Sequence, residues 1–204
     1  MHGEENIGYG GRADLNKRII TNGDIIMSFQ NFEKALDLAK QCENYEIGRG
    51  KSDKVISRGE KLMGFKFSKQ NYEFFKRIGY LNFEINEVYG ISTDDFSDKM
   101  EGSAIEDTLR DRKKYSLPKN WLYIYNFGYD GWKAFLDYGN LNAEGEPPVI
   151  VSVCTGKEWL GAKESAKGKW KHIKDRNFLE VGIFAEDLGD FILCLVEEAI
   201  ERQK

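Results

Sequence analysis

The sequence is poor in the residues that build disulfide frameworks, zinc sites and histidine-based active sites. Its 204 residues include three cysteines, which are far apart and form no C-x-x-C pair, and two histidines, His2 and His172. A disulfide scaffold needs more cysteines, and zinc ligands recur at close spacing. A catalytic triad or a multi-histidine metal site would rest on His172 alone. We therefore expect no metal, no cofactor and no enzymatic activity.

Long apolar runs and an excess of positive charge are also missing. No stretch approaches the ~20 apolar residues of a membrane-spanning helix. The first residues lack the basic and then apolar pattern of a signal peptide. The 30 basic and 34 acidic residues give a net charge of −4, which disfavours nucleic-acid binding over the whole surface. We expect a cytoplasmic protein that binds neither membranes nor nucleic acids.

Proline is scarce, with three residues, whereas aromatic residues make up 13% of the chain. This composition is typical of a globular protein without long linkers. Residues 1–26 are rich in glycine and have no sustained apolar period, so we predict a flexible leader there. The length of residues 27–204 fits a single domain.

Apolar periodicity predicts the order of the secondary structure. Phe29, Phe32, Leu36 and Ala39 recur at helical spacing and lie on one face of a helix. Helices are predicted over residues 28–43, 52–63, 68–78 and 186–201. Strands are predicted over residues 87–91, 121–127, 132–138 and 149–153. Short turns join the later strands, so we expect an α+β fold with a mostly antiparallel sheet and helices packed on one face.

Short motifs lie in a fixed order between Val55 and Ile200. In the first half they are Ile56-x-x-Gly59-Glu60-x-x-Met63-Gly64, Tyr72-x-x-Phe75 and Glu87-Val88-Tyr89-Gly90-Ile91. In the second half they are Leu117-Pro118-Lys119-Asn120-Trp121, Leu136-Asp137, Glu144-Gly145-Glu146-Pro147-Pro148-Val149 and Ala185-x-x-Leu188-x-x-Phe191. This series resembles the SUKH superfamily, which includes the yeast cell-wall synthesis regulator and many bacterial immunity proteins. Two departures are Ser68, where the family usually has proline, and residues 154–183, which resemble an insertion.

The resemblance implies a SUKH-like fold and a binding function. Bacterial members are commonly immunity proteins that bind and neutralise a cognate polymorphic toxin, often a nuclease, so a toxin domain is the expected partner. The alternative is an intracellular regulatory scaffold that binds a cellular partner, like the cell-wall synthesis regulator. A hydrolase with a carboxylate pair is a third class, and it would need two acids converging in a pocket with shifted pKa values.

Acidic residues are concentrated between Phe83 and Asp111. This stretch holds nine acids and two bases, a net charge of −7. Such a surface would attract a basic nuclease and speed association, so we predict that Asp94, Asp95, Asp98 and Glu101 bind the partner. The competing interpretation is a solvated loop and helix face. The stretch lacks the D-x-[DN]-x-[DN]-G pattern of a calcium loop.

The predicted hairpin that follows adds Asp130, Glu144 and Glu146, and it places Trp132 beside an acidic turn. Tryptophan is enriched at binding hot spots, so these four residues complete the predicted partner-binding set. A core or edge-strand position for Trp132 is an equally good interpretation.

Residues 154–183 carry seven bases and four acids, a net charge of +3, interleaved with Trp159 and Trp170. Basic and aromatic residues together are typical of surfaces that bind nucleic acids or acidic partners. A solvated lysine-rich loop has the same composition, and this second interpretation is favoured.

Overall fold

The computed structural model describes residues 22–96, 102–128, 130–156, 158–174 and 180–204, with the backbone alone for residues 22–28. Within this part of the chain the helices are α1 (Asn22–Ala39), α2 (Asp53–Met63), α3 (Lys69–Arg77), α4 (Ala104–Tyr115), α5 (Ala162–Ser165) and α6 (Leu188–Arg202). The strands are β1 (Glu46–Ile47), β2 (Leu81–Phe83), β3 (Asn86–Val88), β4 (Trp121–Asn126), β5 (Trp132–Asp137), β6 (Val149–Thr155), β7 (Glu158–Trp159) and β8 (Gly182–Ala185).

The strands form two sheets. A small sheet has the order β1-β2-β3, and a larger one has the order β4-β5-β6, with β7 and β8 both paired to β6. Every pairing between these strands is antiparallel. The fold is therefore α+β with a mostly antiparallel sheet, as the sequence predicted.

Both faces of the larger sheet are buried. Along β4, Leu122 and Ile124 join the main core with α1, α2, α3 and α6, whereas Trp121 and Tyr123 face a second, smaller core. Side chains alternate between the faces of a strand, so a continuous apolar run marks a strand covered on both sides. Helices α1, α2, α3 and α6 lie on one face, and residues 158–170 cover the other.

Local signals explain the helix ends. The Ser52 hydroxyl accepts a hydrogen bond from the N–H of Val55 (3.4 Å) at the start of α2. Gly64 ends α2 with a φ of +84°, a left-handed conformation that suits glycine. The Asp187 carboxylate accepts from the N–H of Asp190 (2.9 Å) at the start of α6. These caps lie where the sequence predicted that the helices begin and end.

Several features of the fold differ from the predictions, among them strands β1 and β2, which were not predicted. Helix α1 begins at Asn22, so a domain boundary at residue 27 falls inside a helix, and residues 1–21 lie outside the described part. Helix α4 was not predicted, because its acidic residues obscure the apolar stripe. Residues 154–183 are not a plain loop, since they contain β7, α5 and the beginning of β8.

Candidate interaction surfaces

Three of the nine acids counted between Phe83 and Asp111 face the interior. Glu106, Asp107 and Asp111 on α4 are each 1% exposed. Glu106 accepts a hydrogen bond from the Thr93 hydroxyl (2.9 Å), and Asp111 pairs with the Lys133 ammonium (2.7 Å). Buried carboxylates are tolerated because they are paired in this way. The expectation of a solvated acidic helix face was therefore wrong for α4, and the acidic surface is smaller than the sequence count indicates.

The carboxyl groups of Asp107 and Glu87 both have raised pKa values. Burial raises the pKa of Asp107, and burial together with the negative charge of Asp107 raises the pKa of Glu87. Asp107 also pairs with the Arg110 guanidinium and accepts from the N–H of Gly102 (3.1 Å). These contacts occupy the Asp107 carboxylate, so the pair does not present two free acids to a substrate.

Asp94 and Asp95 are exposed, as predicted, in the loop that precedes α4. The Asp94 carboxylate accepts a hydrogen bond from Lys51 Nζ (3.1 Å), and the Asp94 carbonyl accepts from Arg58 (3.0 Å). Lys51 is only 8% exposed, so the loop is held against α2 by a largely buried cation. Asp98 and Glu101 lie outside the described residues.

The other four predicted binding residues lie in two pairs, one at each end of β5. Asp130 is exposed in the β4–β5 turn with a φ of +42°, and Trp132 is half-buried and packs against the main core. Glu144 and Glu146 lie in the loop after the strand. Six residues of strand span roughly 20 Å, so the two pairs do not form one compact surface.

Glu146 has a structural position that the sequence analysis missed. It is 4% exposed, and its carboxylate accepts a hydrogen bond from the N–H of Gln70 (3.1 Å) at the start of α3. Ser68, the N-cap residue, gives no side-chain cap there, so Glu146 supplies an acceptor for the first N–H groups of the helix. Burial raises the pKa of Glu146. Its prediction as a partner-binding residue was wrong because the carboxylate is inside the fold. Glu144 remains partly exposed.

The segment 158–174 is anchored through two tryptophans, of which Trp159 is buried and Trp170 is half-buried. Trp159 is 5% exposed, and its indole N–H donates to the carbonyl of Tyr115 (3.0 Å). The Trp170 indole N–H donates to the Asp137 carboxylate (2.7 Å), and the ring lies 5.7 Å from that of Trp121. Both rings pack against the second core, so the aromatic residues of this basic and aromatic segment have a structural role.

The remaining candidate nucleophiles and metal ligands show no activated arrangement in the described residues. Burial raises the pKa of the Cys42 and Cys154 thiols, which disfavours the reactive thiolate. His172 is exposed and lies 3.4 Å from Glu186. Across the described ranges no group of three or more His, Cys, Asp or Glu side chains is placed to hold a metal ion.

None of the helices in the described ranges has the length and apolar character needed to cross a membrane.

Comparison with known proteins places the chain in a family. A search of curated proteins found no match. The family model SUKH_6, described as SMI1-KNR4 cell-wall, matches residues 53–180, from the start of α2 to the residues before β8. This match covers more than half of the chain and includes the motifs around Gly59, Gly90 and Glu146. The chain belongs to the SUKH family.

Proposed function

We propose that this protein is an immunity protein that binds and neutralises a cognate polymorphic toxin. The observation that supports the proposal is the SUKH family match over residues 53–180, together with the resemblance to bacterial immunity proteins. In this proposal the protein acts by covering its partner and catalyses no reaction.

The exposed acids of the loop before α4 are the proposed contact with a basic toxin domain. Asp94 and Asp95 project from a loop that Lys51 and Arg58 hold against α2, so their positions are fixed before binding. Exposed charges of one sign speed association with a partner of the opposite sign, and salt screens this effect. The β4–β5 turn with Asp130 is a second, separate contact in the proposal.

The decisive test is co-expression with the product of the neighbouring gene. We expect that product to stop growth when it is expressed alone, and we expect this protein to restore growth and to co-purify with it. A neighbour without toxicity, or a toxin that this protein does not bind, would contradict the proposal.

The proposed contact is tested with Asp94, Asp95 and Asp98 changed to Asn. Association with the toxin at low salt should slow by about tenfold. The matched control changes the exposed acids Glu43, Glu180 and Glu201 to Gln, which alters the net charge equally and should leave the rate nearly unchanged. Circular dichroism checks that both variants fold. Equal rates for the two variants would show that the loop is not the contact.

An intracellular regulatory scaffold is the second candidate. The description of the matched family as SMI1-KNR4 cell-wall favours it. A scaffold would bind a cellular partner in cells that lack the neighbouring gene, and its loss would change growth without any toxin being present. Deletion of this gene together with its neighbour therefore separates the two functions.

Absence of catalysis is part of the proposal and has its own test. Purified protein should not turn over nucleic acids or nucleotides. Turnover that one carboxylate substitution abolishes, for example at Glu87, would identify the protein as an enzyme.

A further inference from the structure

Basic residues that are distant in the sequence lie on two segments that contact each other beside the second core. The C-terminal end of α4 and the following loop carry Lys113 and Lys119, and the segment 158–174 carries five more lysines. The Trp159 indole bonded to the Tyr115 carbonyl joins these two parts of the chain. A groove of about 420 Å³ lies at the junction, lined by Ser116 and by residues 158–164.

The lysines of this region lie on the surface, whereas the acids of α4 do not. Within the described residues, none of the lysines of this region forms a salt bridge, and all are exposed. Glu106, Asp107 and Asp111, in contrast, are buried. This region therefore carries a local excess of positive charge, although the net charge of the whole chain is −4.

The backbone that carries the lysines is fixed. The Ser165 hydroxyl donates to Asp137 (2.7 Å) and accepts from the Trp121 indole (3.0 Å). After Trp170, the N–H of Ile173 donates to the Ile183 carbonyl (2.8 Å), which ties the segment to β8. A partner would thus meet a pre-formed array of cations and would not have to order the backbone of a loop.

We propose that this lysine surface, formed by Lys113, Lys119, Lys163, Lys167, Lys169 and Lys171, binds an acidic segment of a protein partner. The groove beside it receives the apolar side chains that accompany the acids, because Leu160 is 42% exposed there. This surface is distinct from the acidic loop before α4, and its function does not depend on toxin neutralisation.

The composition of the groove favours a protein over a nucleic acid. Single-stranded nucleic acids bind by stacking bases on exposed aromatic rings. Trp159 is buried, and the half-buried Trp170 ring packs against Trp121 at 5.7 Å, so neither ring is fully exposed for stacking. Glu158 and Glu164 also line the groove, where they would repel any anion, so the acids of the partner contact the surrounding lysines and its apolar side chains enter the groove.

The test measures binding of a fluorescein-labelled poly-glutamate peptide to the full chain by fluorescence anisotropy. The second probe is a fluorescein-labelled oligothymidine of the same charge. The test variant is K119E/K163E, and the matched control is K54E/K61E on α2, where both lysines are exposed. Each double substitution changes the net charge by the same amount, and circular dichroism confirms that both fold.

We expect wild type to bind poly-glutamate at low salt, with an affinity that falls as ionic strength rises through ~0.1 M. K119E/K163E should bind at least about tenfold more weakly, and K54E/K61E should stay within about twofold of wild type. Three results would each overturn the proposal: no binding of poly-glutamate, equal weakening by the two variants, or tighter binding of oligothymidine than of poly-glutamate.

Discussion

At the scale of single residues, Asp137 organises the second core. It has no exposed surface, and both of its carboxylate oxygens accept hydrogen bonds from neutral donors. One oxygen faces Asn120 and the N–H of Gly139, and the other faces Asn140, Ser165 and Trp170. A buried carboxylate is stable only while such donors surround it, so the segment 158–174 and the sheet depend on each other.

Asp137→Asn is expected to lower the free energy of unfolding by about 3 kcal/mol, because an amide can accept at one oxygen only and leaves donors unpaired. Urea unfolding followed by tryptophan fluorescence measures the effect. Asn140→Ala, which removes one donor and keeps the carboxylate, is the control and should cost less. If Asp137→Asn lowers the free energy of unfolding by less than Asn140→Ala does, the carboxylate does not hold this network together.

Glu146 is expected to make stability depend on pH. Burial raises its pKa above the ordinary value of 4.5, so the folded chain keeps a proton that the unfolded chain has lost. This contribution is fully present below the unfolded pKa and is lost as pH rises through the folded pKa. Glu146→Gln keeps an acceptor for Gln70 but cannot ionise, so the stability of this variant relative to wild type should increase as pH rises above 4.5. Urea unfolding at several pH values measures the difference, and a constant difference would contradict the assignment.

At the scale of secondary-structure elements, the contact between α1 and α6 depends on Gly189. A Cβ added there would lie 2.7 Å from the backbone nitrogen of Phe32. Backbone atoms of α1 cannot move aside as a side chain can, so the two helices would have to separate. The helices can approach this closely because Gly189 has no side chain.

Gly189→Ala is expected to destabilise the protein by roughly 1–3 kcal/mol through overpacking, despite the better helix propensity of alanine. Gly59→Ala in α2 is the matched control, because its nearest neighbour is the Ile105 Cδ1 methyl, the end of a flexible side chain. Thermal unfolding of both variants measures the contrast. If Gly59→Ala costs as much as Gly189→Ala, backbone contact does not explain the difference.

The segment 158–174 is expected to be necessary for stability, although its lysines are not. Replacing it with a short glycine–serine linker would expose Trp121, Phe135 and Ile150, which it covers. We expect aggregation or a melting temperature lowered by more than ~10 °C, because apolar area returns to water. As a control, changing Lys163, Lys167 and Lys169 to Gln should leave the melting temperature nearly unchanged. A stable, monomeric linker variant would show that the second core is dispensable.

At the scale of the whole molecule, one sheet separates two cores of unequal size. The main core contains α1, α2, α3 and α6, and the small core contains residues of β4, β5, β6 and β7. The family match begins at residue 53, after α1, and ends at residue 180, before α6. The helices α1 and α6 that pack against each other therefore lie outside the matched region, and both contribute to the main core.

Deletion of residues 1–21 is expected to change the melting temperature by less than ~2 °C, because the apolar residues there, such as Ile7 and Leu15, follow no sustained period. Deletion of residues 1–26 also removes the first residues of α1 and should cost more. Differential scanning calorimetry of the two truncated chains measures both effects. A loss of several degrees for the shorter deletion would show that residues 1–21 contribute to stability.

The sequence predicts those elements whose signals are local. Ser52 and Gly64 fix the ends of α2, because a cap and a left-handed glycine act within one turn of the helix. The turn at Gly131 joins two β-prone runs, and the structure pairs β4 with β5. Helix α4 was missed because Glu106, Asp107 and Asp111 read as solvated acids, and only partners from elsewhere in the chain make their burial possible.

Periodicity, caps and short motifs act over a few residues, so they are sufficient to predict the α+β class, the order of most elements and the family. Which charges remain on the surface depends instead on how distant parts of the chain pack together. Glu146 caps α3, and the acids of α4 are buried. The segment that carries the lysines of residues 158–174 contacts the end of α4 through Trp159. The physical reason is that burial and pairing depend on partners far apart in the chain, and a count of charges along the sequence contains no information about those partners.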